Sequence, residues 1–239
     1  MFWKTPREKG IAIICALFII GAVSTVFLDL IDADLKWTSH FFSPGGQRGG
    51  WAHGRDFPWG LLYDYGEFLG LAMTAAAIVF FIASVKGRIS REYAKPCLVV
   101  ILTVVLGPGL LVNGILKNYW GRPRPVEISR FGGEWEYRKV WDPGIPGRGK
   151  SFPCGHCSMA FSVASAAAFL PIHPVMATGA LFGGVSYGMI MGVARIAQGG
   201  HFPTDVLWSG VLVLALVATL YYIVFRIPER ADRLIDHKK

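Results

Sequence analysis

The chain has 239 residues, of which 53% are hydrophobic and only 17% are charged, and its formal net charge is +8. A soluble domain carries about a quarter charged residues, so this composition argues against a water-soluble globular protein. The apolar residues form long blocks without a periodic stripe, which favours helices embedded in lipid. Because the chain has no soluble basic domain to carry its positive charge, we do not expect nucleic acid as a partner.

The first apolar block runs from Gly10 to Leu30 and follows a short basic segment. This arrangement also fits a secretory signal peptide, but the block is longer than a signal core and lacks a clear A-x-A cleavage site. Since further apolar blocks follow, we interpret it as a retained first membrane helix.

Five more apolar blocks follow, and they have about the length that a bilayer core requires. They lie at about 62–85, 96–116, 157–172, 175–193 and 206–225. The fourth span is short and rich in small residues, which suits close helix packing, and the prolines of the PIHP turn separate it from the fifth. The sequence therefore predicts an all-α integral membrane bundle of six transmembrane helices, in which residues 1–239 form a single domain.

The distribution of Lys and Arg predicts the orientation of these helices. When the connections are counted alternately, one side collects the basic N-terminal segment, the basic connection at 86–95 and the basic C-terminal tail. We therefore expect both termini to be cytoplasmic. The connection at 117–156 falls on the opposite side, yet it contains eight Lys and Arg residues. This departure from the positive-inside trend predicts an anionic substrate on the non-cytoplasmic side.

The stretch GIPGRGKS, residues 144–151, fits the Walker A pattern G-x-x-x-x-G-K-[ST]. A P-loop needs a strand before it and a helix after it, so that backbone N–H groups surround the phosphates. The flanking VWDP and FPCGHC provide neither element, so we interpret the match as chance in a Gly-rich basic loop. Lys150 and Ser151 remain secondary candidates for phosphate contact.

The tetrapeptide CGHC, residues 154–157, is the one that protein disulfide isomerases use at their active site. Those enzymes carry it in a soluble α/β domain, which this chain lacks. A C-x-x-C motif at a helix start does lower the pKa of its first thiol, so a membrane thiol–disulfide oxidoreductase using Cys154 and Cys157 is the alternative function. The other two cysteines, Cys15 and Cys97, lie inside predicted spans far from this pair, where they cannot pass electrons on.

Two further properties of the CGHC tetrapeptide concern metals and disulfides. A zinc site would need a fourth ligand and an awkward turn, so we expect neither a metal nor another cofactor. Whether Cys154 and Cys157 form a disulfide is left open by the sequence, although the non-cytoplasmic side is oxidising in most cells.

Three segments fall on the non-cytoplasmic side, each at the end of a predicted span: 117–125, 151–157 and 194–205. Cationic side chains suit phosphoryl oxygens, and the forked donors of Arg are geometrically favoured. The free N–H groups and the dipole of a helix start also favour an anion. We therefore expect these residues to bind a phosphate group: Lys117, Arg124, Arg195, Cys154 and Gly155, with Arg122 as a secondary candidate.

The third segment contains a His and an Asp at a spacing that suits nucleophilic catalysis. With Pro203 as the first helical residue, Asp205 lies near the third helical position and can reach back toward His201. A carboxylate at one imidazole nitrogen fixes the tautomer and raises the basicity of the other. We expect His201 to attack phosphorus and form a phosphohistidine, while His156 protonates the leaving oxygen and then activates water. The three cations supply the charge stabilisation, so no metal is required.

These three segments resemble the signature of the type-2 phosphatidic acid phosphatase family: K-x6-R-P, P-S-G-H and S-R-x5-H-x3-D. The residues that match are Lys117, Arg124, Pro125, Pro153, Gly155, His156, Arg195, His201 and Asp205. The resemblance implies a six-helix membrane enzyme that hydrolyses lipid phosphates without metal at the outer face, with His201 as nucleophile, Asp205 as its partner and His156 as acid. Two positions depart from the signature, because Cys154 and Ala194 stand where the family has Ser, and Cys is a weaker side-chain donor.

Within that family, WGRPRP followed by FGG at 131–133 is similar to bacterial lipid A phosphatases, in particular to those acting at the 1-position. The resemblance implies a multi-pass enzyme of the bacterial inner (cytoplasmic) membrane whose active site faces the periplasm. Its substrate would be lipid A or an anionic phospholipid. Lipid A 1-phosphate is favoured, and undecaprenyl pyrophosphate and phosphatidylglycerophosphate are the other substrates considered.

Overall fold

A computed structural model describes residues 5–229, and the chain ends at 1–4 and 230–239 lie outside the described residues. The predicted cytoplasmic position of both termini depends partly on those ends and stays a prediction. Throughout residues 5–229 the regular structure is helical, without a β-strand, and one isolated bridge joins Ile128 to Trp135. The predicted all-α class is confirmed.

Nine α-helices are found in the described range, and we number them in chain order. They are α1 (Pro6–Leu30), α2 (Ala33–Ser39), α3 (Trp59–Tyr65), α4 (Phe68–Val85), α5 (Ala94–Val104), α6 (Lys117–Tyr119), α7 (Gly155–Phe161), α8 (Pro174–Ala197) and α9 (Pro203–Ala218). Segments with 3-10 geometry are Arg48–Gly50, Ala52–Arg55, Arg91–Tyr93, Pro125–Glu127, Ser129–Phe131 and Ser162–Phe169, and segments with π-helical geometry are Val105–Leu116 and Thr219–Val224.

Within residues 5–229, five helical segments are long and apolar enough to cross a membrane. They are Pro6–Leu30, Trp59–Val85, Arg91–Tyr119, Pro174–Ala197 and Pro203–Glu229. Large apolar side chains such as Ile19, Phe27 and Val79 are exposed on α1 and α4, as is expected of surfaces that face lipid. Five of the six predicted spans are therefore found as candidate spans.

The fourth predicted span, at about 157–172, has a different form. It consists of α7 followed directly by the 3-10 segment Ser162–Phe169, and its buried side chains are mostly Ser and Ala. A 3-10 helix rises about 2.0 Å per residue against 1.5 Å in an α-helix, so these few residues extend over roughly 26 Å. The sixth membrane crossing stays a prediction.

One face of α8 consists of glycines that allow neighbouring elements to approach closely. A Cβ atom on Gly184 would lie 2.3 Å from the backbone nitrogen of Ala164, and one on Gly188 would lie 2.3 Å from the ring of Phe161. Because the two glycines are four residues apart, they share one helix face. This close packing brings the C-terminal end of α8 next to the beginning of α7.

The Gly-rich stretch 144–151 packs backbone against backbone on the chain that follows α6. The N–H of Gly144 donates to the carbonyl of Trp120 over 2.9 Å, and the N–H of Ser151 donates to the carbonyl of Arg122 over 3.0 Å. A Cβ on Gly144 would lie 2.0 Å from the carbonyl oxygen of Gly121. The glycines thus allow the two backbone segments to approach closely. Since the next helix begins only at Gly155, the stretch does not have the geometry of a P-loop.

The first loop, at about 31–58, packs onto the second loop, which connects α6 to α7. The rings of Phe42, Trp51 and Phe131 form a mutual cluster with centroid distances of 5.2 to 5.5 Å. The two loops therefore form one layer over the bundle, at the end where α7 and α9 begin.

Candidate active site

His201 is almost completely buried in the turn before α9. Its Nδ1 lies 2.6 Å from the carbonyl oxygen of Ser151. A carbonyl oxygen only accepts hydrogen bonds, so Nδ1 carries the proton and Nε2 keeps its lone pair. The nearest oxygen of Asp205 is 3.8 Å from Nδ1, which is too long for a hydrogen bond. The expected direct hydrogen bond between Asp205 and His201 is therefore not found. The backbone carbonyl of Ser151 fixes the tautomer of His201 instead.

Asp205 is buried and its oxygens have other partners. Oδ2 accepts from the Ser151 hydroxyl over 2.6 Å and from the N–H of Phe202 over 2.8 Å. The contact with Phe202 caps the start of α9, as an acidic residue at the third helical position commonly does. Oδ1 accepts from Nη1 of Arg122 over 2.6 Å. Asp205 acts on His201 through its charge at short range, and Ser151 supports both residues and has no free hydroxyl to offer a phosphate.

Arg122 is fully buried and directs its donors into the protein. Nη2 donates to Asp34 over 2.6 Å, Nη1 donates to Asp205 and Thr204, and Nε donates to the carbonyl of Arg138 over 2.9 Å. Burial alone would lower the pKa of Arg122, but Asp205 and Asp34 outweigh burial and raise it above its ordinary value. The expectation that Arg122 is a secondary phosphate ligand is therefore corrected, since its guanidinium is already paired with two carboxylates.

Asp34, in α2, is a site residue that the sequence did not predict. Its carboxylate accepts from Arg122, from the N–H and hydroxyl of Thr204 over 3.0 and 2.6 Å, and from the hydroxyl of Tyr137 over 3.1 Å. A single Asp after the first span has no diagnostic spacing, and the only signal was an acidic stretch at 29–34. We call Asp34, Arg122, Thr204 and Asp205 the Arg122 cluster.

Cys154 lies at the start of α7 as its N-cap. Its Sγ accepts from the N–H of Cys157 over 3.2 Å, and its own N–H donates to the hydroxyl of Ser209 over 2.9 Å. Both thiols are buried and free, so the structure has no disulfide between them. Burial raises the pKa of Cys154, but its contacts with Cys157, His201 and Arg195 outweigh burial and lower it well below its ordinary value. This environment favours negative charge, as a phosphate site requires.

A cavity of about 290 Å³ opens between the two loops and the ends of α3 and α8. Its lining includes Arg48, Arg55, Tyr63, Arg124, Arg195 and Gly200. The Nε atoms of Arg124 and Arg195 are buried and have no hydrogen-bond partner among residues 5–229. Buried donors of this kind are rare, and here two of them border one cation-lined cavity. The arrangement is suited to binding an anion.

Lys117 meets the start of α7 at Gly155. Its Nζ donates to Oδ1 of Asn113 over 3.3 Å. A Cβ on Gly155 would lie 3.1 Å from Nζ of Lys117 and 2.7 Å from Oδ1 of Asn113. Gly155 therefore leaves the space that the lysine occupies. Lys150, by contrast, is exposed on the loop surface. Neither Lys150 nor Ser151, the two secondary candidates in the Gly-rich stretch, lines the cavity.

His156, the second residue of α7, is partly buried beside these cations. Its ring stacks on Tyr63 with centroids 5.1 Å apart and an interplanar angle of 15°, and its Nδ1 lies 3.6 Å from Oε1 of Glu67. Burial, followed by the charge of Arg195, lowers the pKa of His156 to about 4. With this pKa, His156 is neutral at pH 7.

Three expected groups are thus brought together: the cations, the helix start and the two histidines. His156 interacts electrostatically with Arg195, Cys154, His201 and Lys117, and these residues come from all three segments. Among the residues that the structure describes, no three His, Cys, Asp or Glu side chains form a group that could hold a metal ion. In this site the positive charge comes from Lys and Arg.

Comparison with known proteins identifies related sequences. Residues 92–229 match the PAP2 superfamily. A lipid A 4'-phosphatase of Francisella tularensis subsp. novicida (strain U112) is 29% identical over 214 residues, which are 85% of this chain and 91% of that protein. A lipid A 4'-phosphatase of Rhizobium leguminosarum is 30% identical over 134 residues, or 55% of this chain and 56% of that protein. No solved structure matches the chain significantly.

The region that matches the family includes every motif residue from Lys117 to Asp205. It also covers more than half of the chain, and the helices that carry it are apolar enough to span a membrane. The chain belongs to the PAP2 superfamily and is a membrane-embedded lipid phosphatase.

Proposed function

We propose that this enzyme removes a phosphate group from the headgroup of lipid A through a phosphohistidine on His201. The observation that carries the proposal is the position of His201. Its Nδ1 is held protonated by the Ser151 carbonyl, so its Nε2 keeps the lone pair that a nucleophile needs. The unpaired Nε atoms of Arg124 and Arg195 support the binding of a phosphoryl group near it.

In the first step, Nε2 of His201 forms a bond to phosphorus while the bond between phosphorus and the lipid oxygen breaks. His156 gives a proton to that leaving oxygen. In the second step, water attacks phosphorus, His156 takes a proton from the water, and the P–N bond breaks to release phosphate. Asp205, 3.8 Å from Nδ1, offsets the positive charge that develops on His201.

Lys117, Arg124 and Arg195 stabilise the charge that spreads over the phosphoryl oxygens in both steps. The N–H groups at the start of α7 add further donors, since Gly155 permits close approach of the backbone.

The relatives support the 4'-phosphate of lipid A as the substrate, because two of them carry that name and one aligns with 85% of this chain. The sequence pattern itself favours the 1-phosphate, so both positions belong in the same assay. Arg48 and Arg55 at the cavity support a strongly anionic headgroup. Undecaprenyl pyrophosphate and phosphatidylglycerophosphate are the substrates against which lipid A is compared.

We place the enzyme in the bacterial cytoplasmic membrane with its site toward the periplasm. The support is the distribution of basic residues, since the connection at 86–95 lies at the opposite end of the bundle from the two loops. A lipid A headgroup exposed at the periplasmic face would enter the cavity without passing through the membrane.

The test is phosphate release by the purified protein in detergent with EDTA. The substrates are lipid A phosphorylated only at the 1-position, lipid A phosphorylated only at the 4'-position, undecaprenyl pyrophosphate and phosphatidylglycerophosphate. We expect release from 4'-phosphorylated lipid A, and a loss of at least about 1000-fold in His201→Ala. His173→Ala is the matched control, because His173 is exposed and contacts Tyr93 at the other end of the bundle. Full loss of activity with EDTA, or full activity in His201→Ala, would refute the mechanism.

Cys154→Ser distinguishes this function from thiol–disulfide exchange. A serine hydroxyl can accept the N–H of Cys157 as the thiol does, so we expect phosphate release to stay within about threefold of the wild type. If Cys154→Ser abolished the activity of the protein while its fold was retained, the thiol chemistry would be favoured.

A further inference from the structure

Two side chains at the beginning of the second span face His156. Tyr63 stacks on its imidazole, and Oε1 of Glu67 lies 3.6 Å from its Nδ1. The backbone stays helical through the junction of α3 and α4, so residues 63 and 67 project from one helix face. Both lie outside the residues 92–229 that match the family.

The junction between α3 and α4 is fixed against α8. The carbonyl of Gly66 accepts from the hydroxyl of Tyr187 over 2.6 Å, and a Cβ on Gly66 would lie 2.0 Å from Cε of Met191. At the first residue of α3, the carbonyl of Trp59 accepts from Nε2 of Gln198 over 3.2 Å. Glu67 is therefore held in position relative to the end of α8, which carries Arg195.

The charges around His156 make a lone imidazolium unfavourable there. Arg195 at the end of α8, Lys117 in α6 and His201 before α9 all oppose a positive charge on its ring, whereas Cys154 before α7 favours one. Burial and Arg195 together lower the pKa of His156 to about 4. A general acid must nevertheless hold a proton at neutral pH in every turnover. A carboxylate within hydrogen-bond distance of Nδ1 favours the protonated ring, because a Glu–imidazolium pair has no net charge for the cations to repel.

We infer that Glu67 is the positioning residue that allows His156 to serve as the acid. The inference rests on the proposed function. Glu67 and His156 share one proton between Oε1 and Nδ1, and Nε2 carries a second proton toward the leaving oxygen. The stacked ring of Tyr63 keeps the imidazole plane in line with Glu67.

The protons balance over the two steps. When the leaving oxygen departs, Nε2 gives up its proton and the pair keeps the shared one, so the lipid leaves as an alcohol. When water attacks the phosphohistidine, Nε2 takes a proton from it and the pair returns to its first state. The distance of 3.6 Å between Oε1 and Nδ1 is consistent with this pairing, because catalytic hydrogen bonds are often long until the substrate binds.

The experiment compares two substrates that differ in their need for an acid. Phosphorylated lipid A has a poor leaving group, whereas p-nitrophenyl phosphate releases a stable phenolate without protonation. We expect Glu67→Gln to lower kcat/KM for lipid A by about 10- to 100-fold, in the range of general acid catalysis, and to change kcat/KM for p-nitrophenyl phosphate by less than about threefold. Because the amide cannot share a proton, the high-pH limb of kcat/KM for lipid A should also move to lower pH.

Tyr65→Phe is the matched control, because Tyr65 lies on the same helix and is exposed beside Phe68. It should leave the ratio of the two kcat/KM values unchanged, while His156→Ala should show the pattern of Glu67→Gln with a larger effect. Equal losses on both substrates in Glu67→Gln, with or without a fall in Tm, would show a structural role and overturn the inference. Wild-type rates on both substrates would overturn it as well. Failure of the wild-type protein to release phosphate from either substrate would instead refute the proposed function.

Discussion

Arg122 joins two buried carboxylates from opposite parts of the chain, Asp34 and Asp205. Its guanidinium donates to both over 2.6 Å, and all three side chains are at least 96% buried from solvent. Charges in such a place are tolerated only when they are paired and hydrogen-bonded. Since the donors of Arg122 do not reach the cavity, its contribution is to stability and to the placement of Asp205.

Replacing Arg122 should therefore destabilise the fold more than it weakens substrate binding. Arg122→Met leaves Asp34 and Asp205 buried without a counter-charge, so we expect the free energy of unfolding to fall by about 3–5 kcal/mol, measured by denaturant unfolding in detergent micelles. Arg124→Met, two residues away, is the control: it should reduce phosphate release and leave the unfolding free energy nearly unchanged. A stable Arg122→Met protein with a raised KM alone would identify Arg122 as a phosphate ligand after all.

At the residue level, the sequence predicted which segments come together better than it predicted the hydrogen-bond partners of each side chain. Arg124 and Arg195 line one cavity, and His156 lies close to Lys117, Arg195 and His201. Asp205, however, bonds to Arg122, Ser151 and the Phe202 N–H. An Asp at the third helical position can bend back either to a preceding side chain or to a backbone N–H, and spacing alone does not distinguish the two. Asp34 could not be found because its partners are 88 and 170 residues away.

The glycine face of α8 determines how closely the helices behind the site pack. Gly184 faces the backbone of Ala164, whereas the space around Gly183, the adjacent residue, is open for at least 4 Å. In a membrane, such contacts between small residues contribute much of the association of helices.

Two alanine substitutions on α8 should therefore have opposite effects. In Gly184→Ala the new methyl group meets a backbone atom at 2.3 Å, so α8 must move, and we expect a loss of about 1–3 kcal/mol. In Gly183→Ala the methyl group meets nothing, and the better helix propensity of Ala should add up to about 1 kcal/mol. Thermal unfolding of both variants checks this. Equal Tm values would mean that the α8 contact does not limit stability.

Among the elements, the long apolar runs were the most predictable. Their length and composition alone indicated the five candidate spans, and the structure moves their ends by a few residues, with the second beginning at Trp59. The 3-10 geometry of Ser162–Phe169 was not predictable, because it depends on packing against α5, α8 and α9. The short α2 had no apolar block to indicate it, yet it carries Asp34.

At the scale of the whole molecule, the two loops and the proposed site lie at one end of the bundle, and the turn at 86–90 lies at the other. This two-sided distribution predicts where reagents can reach the protein. The first loop packs on the second through Trp51 and Phe131, so both loops must lie on the same side of the membrane.

Cysteine labelling should confirm the orientation. In a Cys15→Ser background, Glu134→Cys places a thiol on the exposed second loop and Lys86→Cys places one on the exposed turn after α4. We expect a membrane-impermeant maleimide to label only Glu134→Cys in intact spheroplasts, and both variants after permeabilisation. Labelling of Lys86→Cys alone in intact spheroplasts would invert the topology and contradict a periplasmic site.

The Arg122 cluster also has a consequence for biosynthesis. Asp34 belongs to the part of the chain that leaves the ribosome early, and its partner Thr204 follows 170 residues later. At ordinary translation speeds this interval is roughly 10–30 s. During that time the carboxylate of Asp34 has no hydrogen bond from Thr204, and it gains one only when α9 is in place. A chain that stops before its last helix therefore leaves Asp34 without the two hydrogen bonds that Thr204 donates to it.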